Sequence, residues 1–186
     1  MTIEINDKQF EHAKLILSRI PKGIEKAMAS AINRAAQSGR TAAVKKVRER
    51  YYIKASTIRE PLKIERASPS SPMAILRAAG RVISLSKFKI RPTAPTPGKP
   101  KTVVATVVKG QGGAIQRAFV ARMPAGHIGV YRRKGGPRLP IIELYGPSVP
   151  QMVGNEEVIR TLEEKAQQTL DERMEHEITR LLEGKK

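Results

Sequence analysis

Two crowded sets of cations are the residues of this chain whose types and spacing suit chemistry. Lys45, Lys46, Arg48, Arg50, Lys54 and Arg59 surround Tyr51 and Tyr52, and Arg132, Arg133, Lys134 and Arg138 bracket Gly135 and Gly136. Cations placed this way suit a phosphate backbone, because neutralising phosphates releases condensed counterions and needs charge alone. A Gly-Gly tip between cations lets the main chain come close to such a polyanion. Reading a base sequence would require a groove-entering helix presenting Asn, Gln or Arg, and no reader motif occurs. Seven aromatic residues are too few for a platform that stacks single-stranded bases. Contact with nucleic acid is therefore expected to be sequence-blind. Acidic protein partners would satisfy the same charges, and composition does not separate the two. Positive charge also suits the C-terminal end of a helix, which accounts for one or two of Lys45, Lys46, Arg48 and Arg50 but not for all four.

Catalytic chemistry finds no comparable set. His12, His127 and His176 are scattered, and none forms an H-E-x-x-H or other i, i+4 ligand pair. His127 follows a glycine and opens a strand, so it is read as structural. There is no cysteine, hence no thiolate nucleophile, no disulfide framework and no cysteine-ligated zinc. No serine stands in G-x-S-x-G. Gly110-Gln-Gly-Gly113 lacks the G-K-[ST] of a phosphate loop and the G-x-G-x-x-G of a dinucleotide fold. Neighbouring carboxylates occur chiefly near the C-terminus, on a face where solvent would leave them untuned. No catalytic residue, metal or cofactor is expected, and the chain is not expected to be an enzyme.

The charge is unevenly distributed along the 186 residues. Residues 30–138 carry 24 basic and three acidic groups (Glu49, Glu60 and Glu65), whereas residues 155–186 carry nine acidic and six basic groups. A folded region so basic repels itself unless a polyanion or an acidic partner lies against it. No apolar run approaches the length of a membrane span. The opening residues Met1–Asp7 lack a basic start followed by an apolar core, so no signal peptide is expected.

The elements that must position these cations follow from periodicity. Asn6 with Gln9 three residues on suggests the cap of a short helix reaching about Arg19, and Pro21 suits the first turn of the next one. Residues 22–50 read as one long helix, with Ile24, Met28, Ala31, Ala35, Gly39, Ala42 and Val47 at helical spacing. So small a stripe implies close approach to a neighbour. Lys54–Glu60 reads as a helical turn ended by Pro61. Strands are expected at 62–67, 73–79, 82–90, 102–108, 118–123, 127–133 and 139–145, with Gly110–Gly113 as a break. Residues 91–101, with four prolines, read as an exposed, mobile loop. Asn155 caps a final amphipathic helix whose stripe is Val158, Leu162, Ala166, Leu170, Met174, Ile178 and Leu181. The expected class is α+β, a single domain over 1–186: helical over 6–50, strand-rich over 61–145, helical again over 155–183. Long helices cover one side of a mostly antiparallel sheet.

Three stretches in this order resemble the minor tail protein Z family, the tail completion proteins of long-tailed bacteriophages. They are Ala31-Ile-Asn-Arg-Ala-Ala36 leading to Arg48–Lys54; Ala118-Phe-Val-Ala-Arg-Met123 with Gly126-His-Ile-Gly-Val-Tyr-Arg-Arg133; and Arg138-Leu-Pro-Ile-Ile-Glu-Leu-Tyr-Gly-Pro-Ser-Val-Pro150 before a terminal helix. The family pattern has a small residue before the Ala-Phe pair, where this chain has Arg117. The resemblance implies a virion protein, made in the host cytoplasm and placed at the head-proximal end of the tail. It would complete the tail and help join it to the head. The implied partners are further copies in a ring, commonly of six, the tail terminator and tail tube proteins, and the head–tail connector. Packaged double-stranded DNA, contacted without sequence preference, is a further possible partner; no membrane is implied.

The residues expected to face DNA or an acidic neighbour are Arg48, Arg50, Lys54, Arg132, Arg133, Lys134 and Arg138. Those expected at subunit interfaces are Leu139, Ile141, Leu144, Tyr145, Pro147, Leu162 and Leu170. The alternative from a different class is a sequence-independent nucleic-acid-binding module, associated with ribosome or nucleoid.

Overall fold

A computed structural model describes residues 2–3, 23–98, 101–124 and 126–183. The elements are β1 (Thr2–Ile3), α1 (Gly23–Arg50), α2 (Ala55–Arg59), β2 (Leu62–Glu65), β3 (Ala74–Ala78), β4 (Val82–Ser84), a 3-10 turn (Leu85–Lys87) and β5 (Lys89–Arg91). They continue with β6 (Val103–Val108), β7 (Gln111–Ile115), β8 (Ala118–Arg122), β9 (Ile128–Arg133), β10 (Ile141–Glu143), β11 (Tyr145–Ser148), α3 (Val149–Val153) and α4 (Glu156–Leu182). The short helix expected over 6–19, with His12, lies outside the described residues, as do Lys99 and Pro100 of the Pro-rich loop. The described part of that loop is largely exposed.

The neighbour that the small-residue stripe of α1 requires is α4. Ala27, Ala31, Ala35 and Ala36 share a buried cluster with Leu170, Met174 and Ile178. Ala43, Val44 and Val47 share another with Val158 and Leu162. The N-terminal half of one helix thus meets the C-terminal half of the other, and the pair is antiparallel. At Gly39 a Cβ would lie 3.2 Å from both Ala166 Cβ and the Leu162 carbonyl oxygen, so the absent side chain sets how closely the helices pack. Thr169 Oγ1 donates to Ser38 Oγ at 2.9 Å, and Ser30 Oγ donates to Glu177 Oε1 at 2.8 Å. The other oxygen of buried Glu177 pairs with Arg180 at 2.6 Å.

This packing corrects one expectation. Leu162 and Leu170 are 2% and 0% exposed. They fill the seam within one chain, because an alanine-rich helix needs large side chains from its partner to close the gap. Neither offers exposed surface to a second subunit.

Among the described residues the strands pair antiparallel, but they form four small sheets where one was expected: β1-β3-β2, β10-β9-β8, β11-β4 and β5-β6-β7. The strand expected over 82–90 is split by the 3-10 turn, which buries Leu85 and sends its N–H to Leu144 O at 3.0 Å. The glycine-rich break expected at 110–113 is largely strand: Gly112 pairs with Thr106, where a Cβ would collide with the Thr106 hydroxyl. The span 139–145 divides at Leu144, which donates to Val130 O at 2.8 Å and leaves β10 and β11 in different sheets. A capping box then starts α3: Ser148 N–H donates to Gln151 Oε1, and Ser148 Oγ accepts from Gln151 N–H. The S-x-x-Q pattern that encodes it was legible at Ser148–Gln151 and was not read as a helix start.

Candidate functional site

The C-terminal end of α1 does not stop at its last cation but runs into a laced segment. Tyr51 N–H donates to Val47 O and Tyr52 N–H to Val107 O, while Lys109 N–H donates to Arg50 O at 2.8 Å. These bonds lay residues 50–52 along the end of β6. On the same edge of β6, opposite β7, β5 pairs Lys89 with Thr106. Lys89 and Lys109 are thereby brought to one aromatic ring, their Nζ atoms 4.5 and 5.5 Å from the Tyr52 centroid. The negative face of the ring offsets part of the repulsion between the two cations.

The result is an open groove of about 450 Å³ lined by Arg48, Lys54, Lys87, Lys89 and Lys109 together with aromatic rings, and among the described residues no carboxylate lines it. Five cations from three stretches of sequence converge there. Such a concavity concentrates positive potential and suits a phosphate backbone through mobile ammonium groups. Sequence reasoning placed Arg48 and Lys54 here but missed Lys87, Lys89 and Lys109. They lie far along the chain from the helix, in a strand-rich region, and the antiparallel ladder β5-β6-β7 brings them to the helix end.

The rest of the first expected cluster turns elsewhere. Arg50 lies over the Tyr51 ring at 5.9 Å and lines a separate cleft with Lys46, Glu49 and Glu157. Lys46 is 3.8 Å from Glu49 and 4.0 Å from Glu157. Lys45 lines another cavity with Lys46, Glu49 and Lys165. These residues form a mixed-charge surface between α1 and the start of α4.

The second expected cluster does not line the groove. Arg132 and Arg133 are consecutive in β9, so their side chains leave opposite faces of the sheet. Arg132 is exposed, and Arg133 stands over Phe119 at 5.7 Å. Lys134 and Arg138 are exposed in the connection to β10, where Arg117 Nη2 donates to Gly135 O at 2.8 Å. Of the expected interface residues, Leu139 and Tyr145 are 67% and 51% exposed, while Ile141, Leu144 and Pro147 are half-buried.

His127, read as structural, belongs to a polar knot centred on Glu143. Glu143 Oε1 meets Ser84 Oγ at 2.6 Å and His127 Nε2 at 2.8 Å, and Tyr145 OH donates to Oε2 at 3.0 Å. Burial by itself pushes this carboxyl up, but the hydrogen bonds from Ser84, His127 and Tyr145 outweigh it and hold the group below its ordinary value. The bond to Glu143 pushes the Tyr145 hydroxyl up. Ser84 donates to the carboxylate and not to His127, so the knot ties the β11-β4 and β10-β9-β8 sheets together without forming a nucleophile–base pair. Gly129 leaves room for it: a Cβ there would lie 2.9 Å from Glu143 Oε1.

Among the described residues no group of three or more His, Asp or Glu side chains is placed to hold a metal ion. No helix among them is long and apolar enough to cross a membrane.

Comparison with known proteins gives one match. The family model for prophage minor tail protein Z (GPZ) matches residues 8–184. No curated protein and no solved structure matches the chain.

Proposed function

The chain belongs to the prophage minor tail protein Z family, whose role is structural and lies in the phage tail, and from that premise we propose that it completes the tail at its head-proximal end and helps join it to the head-side connector. In this reading it acts as a ring subunit around the DNA path. Its neighbours are other copies, probed below, and the terminator, tube and connector proteins. The observation that carries the reading is the groove of Arg48, Lys54, Lys87, Lys89 and Lys109, which has no carboxylate among the described residues that line it. A path for packaged duplex DNA needs sequence-blind positive charge of this kind. The Arg132–Arg138 connection and exposed Leu139 and Tyr145 supply further surface for DNA or an adjoining ring.

The test is removal of the gene from its phage or prophage. Filled heads and separate tails that fail to join are the expected products, restored by the wild-type gene supplied in trans. Normal infectious particles would overturn the reading.

The same groove also favours a second reading, a sequence-independent nucleic-acid-binding module outside the particle. That reading predicts tight, salt-sensitive binding of duplex DNA or RNA by the monomer and no incorporation into virions.

A further inference from the structure

A second basic concavity lies beside the α1–α4 seam and has a different chemistry. It is an open groove of about 680 Å³ lined by Arg34, Arg40, Lys63, Arg66 and Arg173. Among the described residues its one carboxylate is Glu177, which is already held by Ser30 and Arg180. The Tyr52 groove is lined mainly by lysines, whereas four of these five cations are arginines. Guanidinium forks recognise carboxylates in fixed, bidentate geometry, while ammonium groups act as point charges.

The chain carries one dense source of carboxylates, α4. At 3.6 residues per turn, Glu164 and Glu175 fall within about 20° of one line along that helix, and Arg173 falls on the opposite side. Both glutamates are exposed, with Glu164 4.0 Å from Arg160 of its own helix. A single copy therefore presents an arginine groove on one side of α4 and an acidic line on the other.

We infer that the arginine groove receives the acidic outer face of α4 from a second copy of this chain. The inference deepens the ring-subunit reading and rests on it. Because the receiving and donating surfaces differ, the contact is heterologous: each copy uses its groove toward one neighbour and its helix toward the next, the arrangement that generates closed rings.

The test measures assembly of the full-length chain by sedimentation velocity and native mass spectrometry. It compares wild type with Arg34→Glu/Arg66→Glu and with Glu164→Arg/Glu175→Arg. Each pair of reversals should raise the concentration needed for assembly by at least about tenfold. An equimolar mixture of the two variants should assemble again, since every groove then meets a helix of opposite charge; this recovery also shows that both variants fold. Assembly of both variants at the wild-type concentration overturns the groove contact and leaves the ring reading standing. A wild-type chain that stays monomeric at every concentration overturns both. Loss of duplex DNA binding by Arg34→Glu/Arg66→Glu with assembly unchanged assigns the groove to nucleic acid and overturns the proposed occupant.

Discussion

Asn33 of α1 and Ala67 exchange two hydrogen bonds, both 2.9 Å: Asn33 Nδ2 donates to Ala67 O, and Ala67 N–H donates to Asn33 Oδ1. The amide side chain thus stands where a neighbouring strand would, at the point where the chain leaves β2. Ala67 is buried, and no water is needed to satisfy its main chain. The asparagine of the Ala31–Ala36 stretch is therefore a clamp between the long helix and the sheet region.

Removing that clamp leaves two main-chain groups of a buried residue unpaired. Asn33→Ala should lower unfolding stability by about 2 kcal/mol, the usual cost of stranding such groups. Asn33→Asp keeps the acceptor, loses the donor and sets a carboxylate against the Ala67 carbonyl, so it should be no better. Urea unfolding monitored by circular dichroism checks this, with a shifted midpoint at unchanged slope. An unchanged midpoint for both variants would show that the clamp contributes nothing.

Gly146 and Phe88 make a second such fit. A Cβ on Gly146 would lie 2.6 Å from Phe88 Cε2, and Phe88 is buried in the larger core. Gly146→Ala should cost about 1–3 kcal/mol by overpacking. Phe88→Leu in the Gly146→Ala background should recover part of that loss, so the two changes should be clearly non-additive. Strict additivity in the double-mutant cycle would contradict the contact.

How much of this was legible in the sequence depends on the range of the interactions. α1 and α4 were readable to within a residue or two because their stripes repeat locally, and the small residues of α1 announced a close neighbour. The neighbour itself was not readable, since Ala166 meets Gly39 only after the whole strand region has folded between them. Lys87 and Lys89 alternate with apolar residues as any half-exposed strand does, and Lys109 lies in a separate stretch; the ladder that gathers them at the helix end is long-range. His127 looked isolated because its partner Glu143 is 16 positions away, and one-residue irregularities at Leu144 and Leu85 put four sheets where alternation suggested one. The Gly110–Gly113 run misled because glycine marks a turn more often than a strand residue facing a crowded neighbour.

Arg117 has φ of 59°, in the left-handed region that costs a residue with a side chain about 1 kcal/mol. Its guanidinium bond to Gly135 O offsets some of that strain. Arg117→Ala keeps the strain and loses the bond, while Arg117→Gly loses the bond and the strain together. The glycine variant should therefore exceed the alanine variant in stability by about 1 kcal/mol. Thermal unfolding of the two proteins decides it, and an alanine variant equal to or better than glycine would refute the account.

For the Tyr52 groove, the expected readout is salt dependence. Lys54→Ala, Lys89→Ala and Lys109→Ala should each weaken duplex DNA binding equally for unrelated sequences. Each should reduce the slope of log binding constant against log salt by about 0.9 if it removes one phosphate contact. Lys165→Ala, outside this groove and beside Lys45 and Lys46, serves as the control and should leave the slope unchanged. Fluorescence anisotropy with two duplexes of different sequence measures both quantities. Equal slopes for all four variants would remove the groove from the DNA path.

The knot at Glu143 predicts a pH dependence whose sign follows from its depressed folded value. A carboxyl held below its ordinary 4.5 contributes stability that is complete above that value and is lost as pH falls through the lower folded one. Glu143→Gln removes the charge that Ser84, His127 and Tyr145 hold. At about pH 7 it should cost about 2 kcal/mol, within the range for hydrogen bonds to a charged group. The gap between wild type and Glu143→Gln should then narrow as pH drops below about 4.5, because the wild-type carboxyl becomes neutral as well. Paired urea titrations at about pH 7, 5 and 3 measure that gap directly. A gap that stays constant across the series would mean the glutamate acts through shape alone, and the ionised carboxylate would have no part in joining the two sheets.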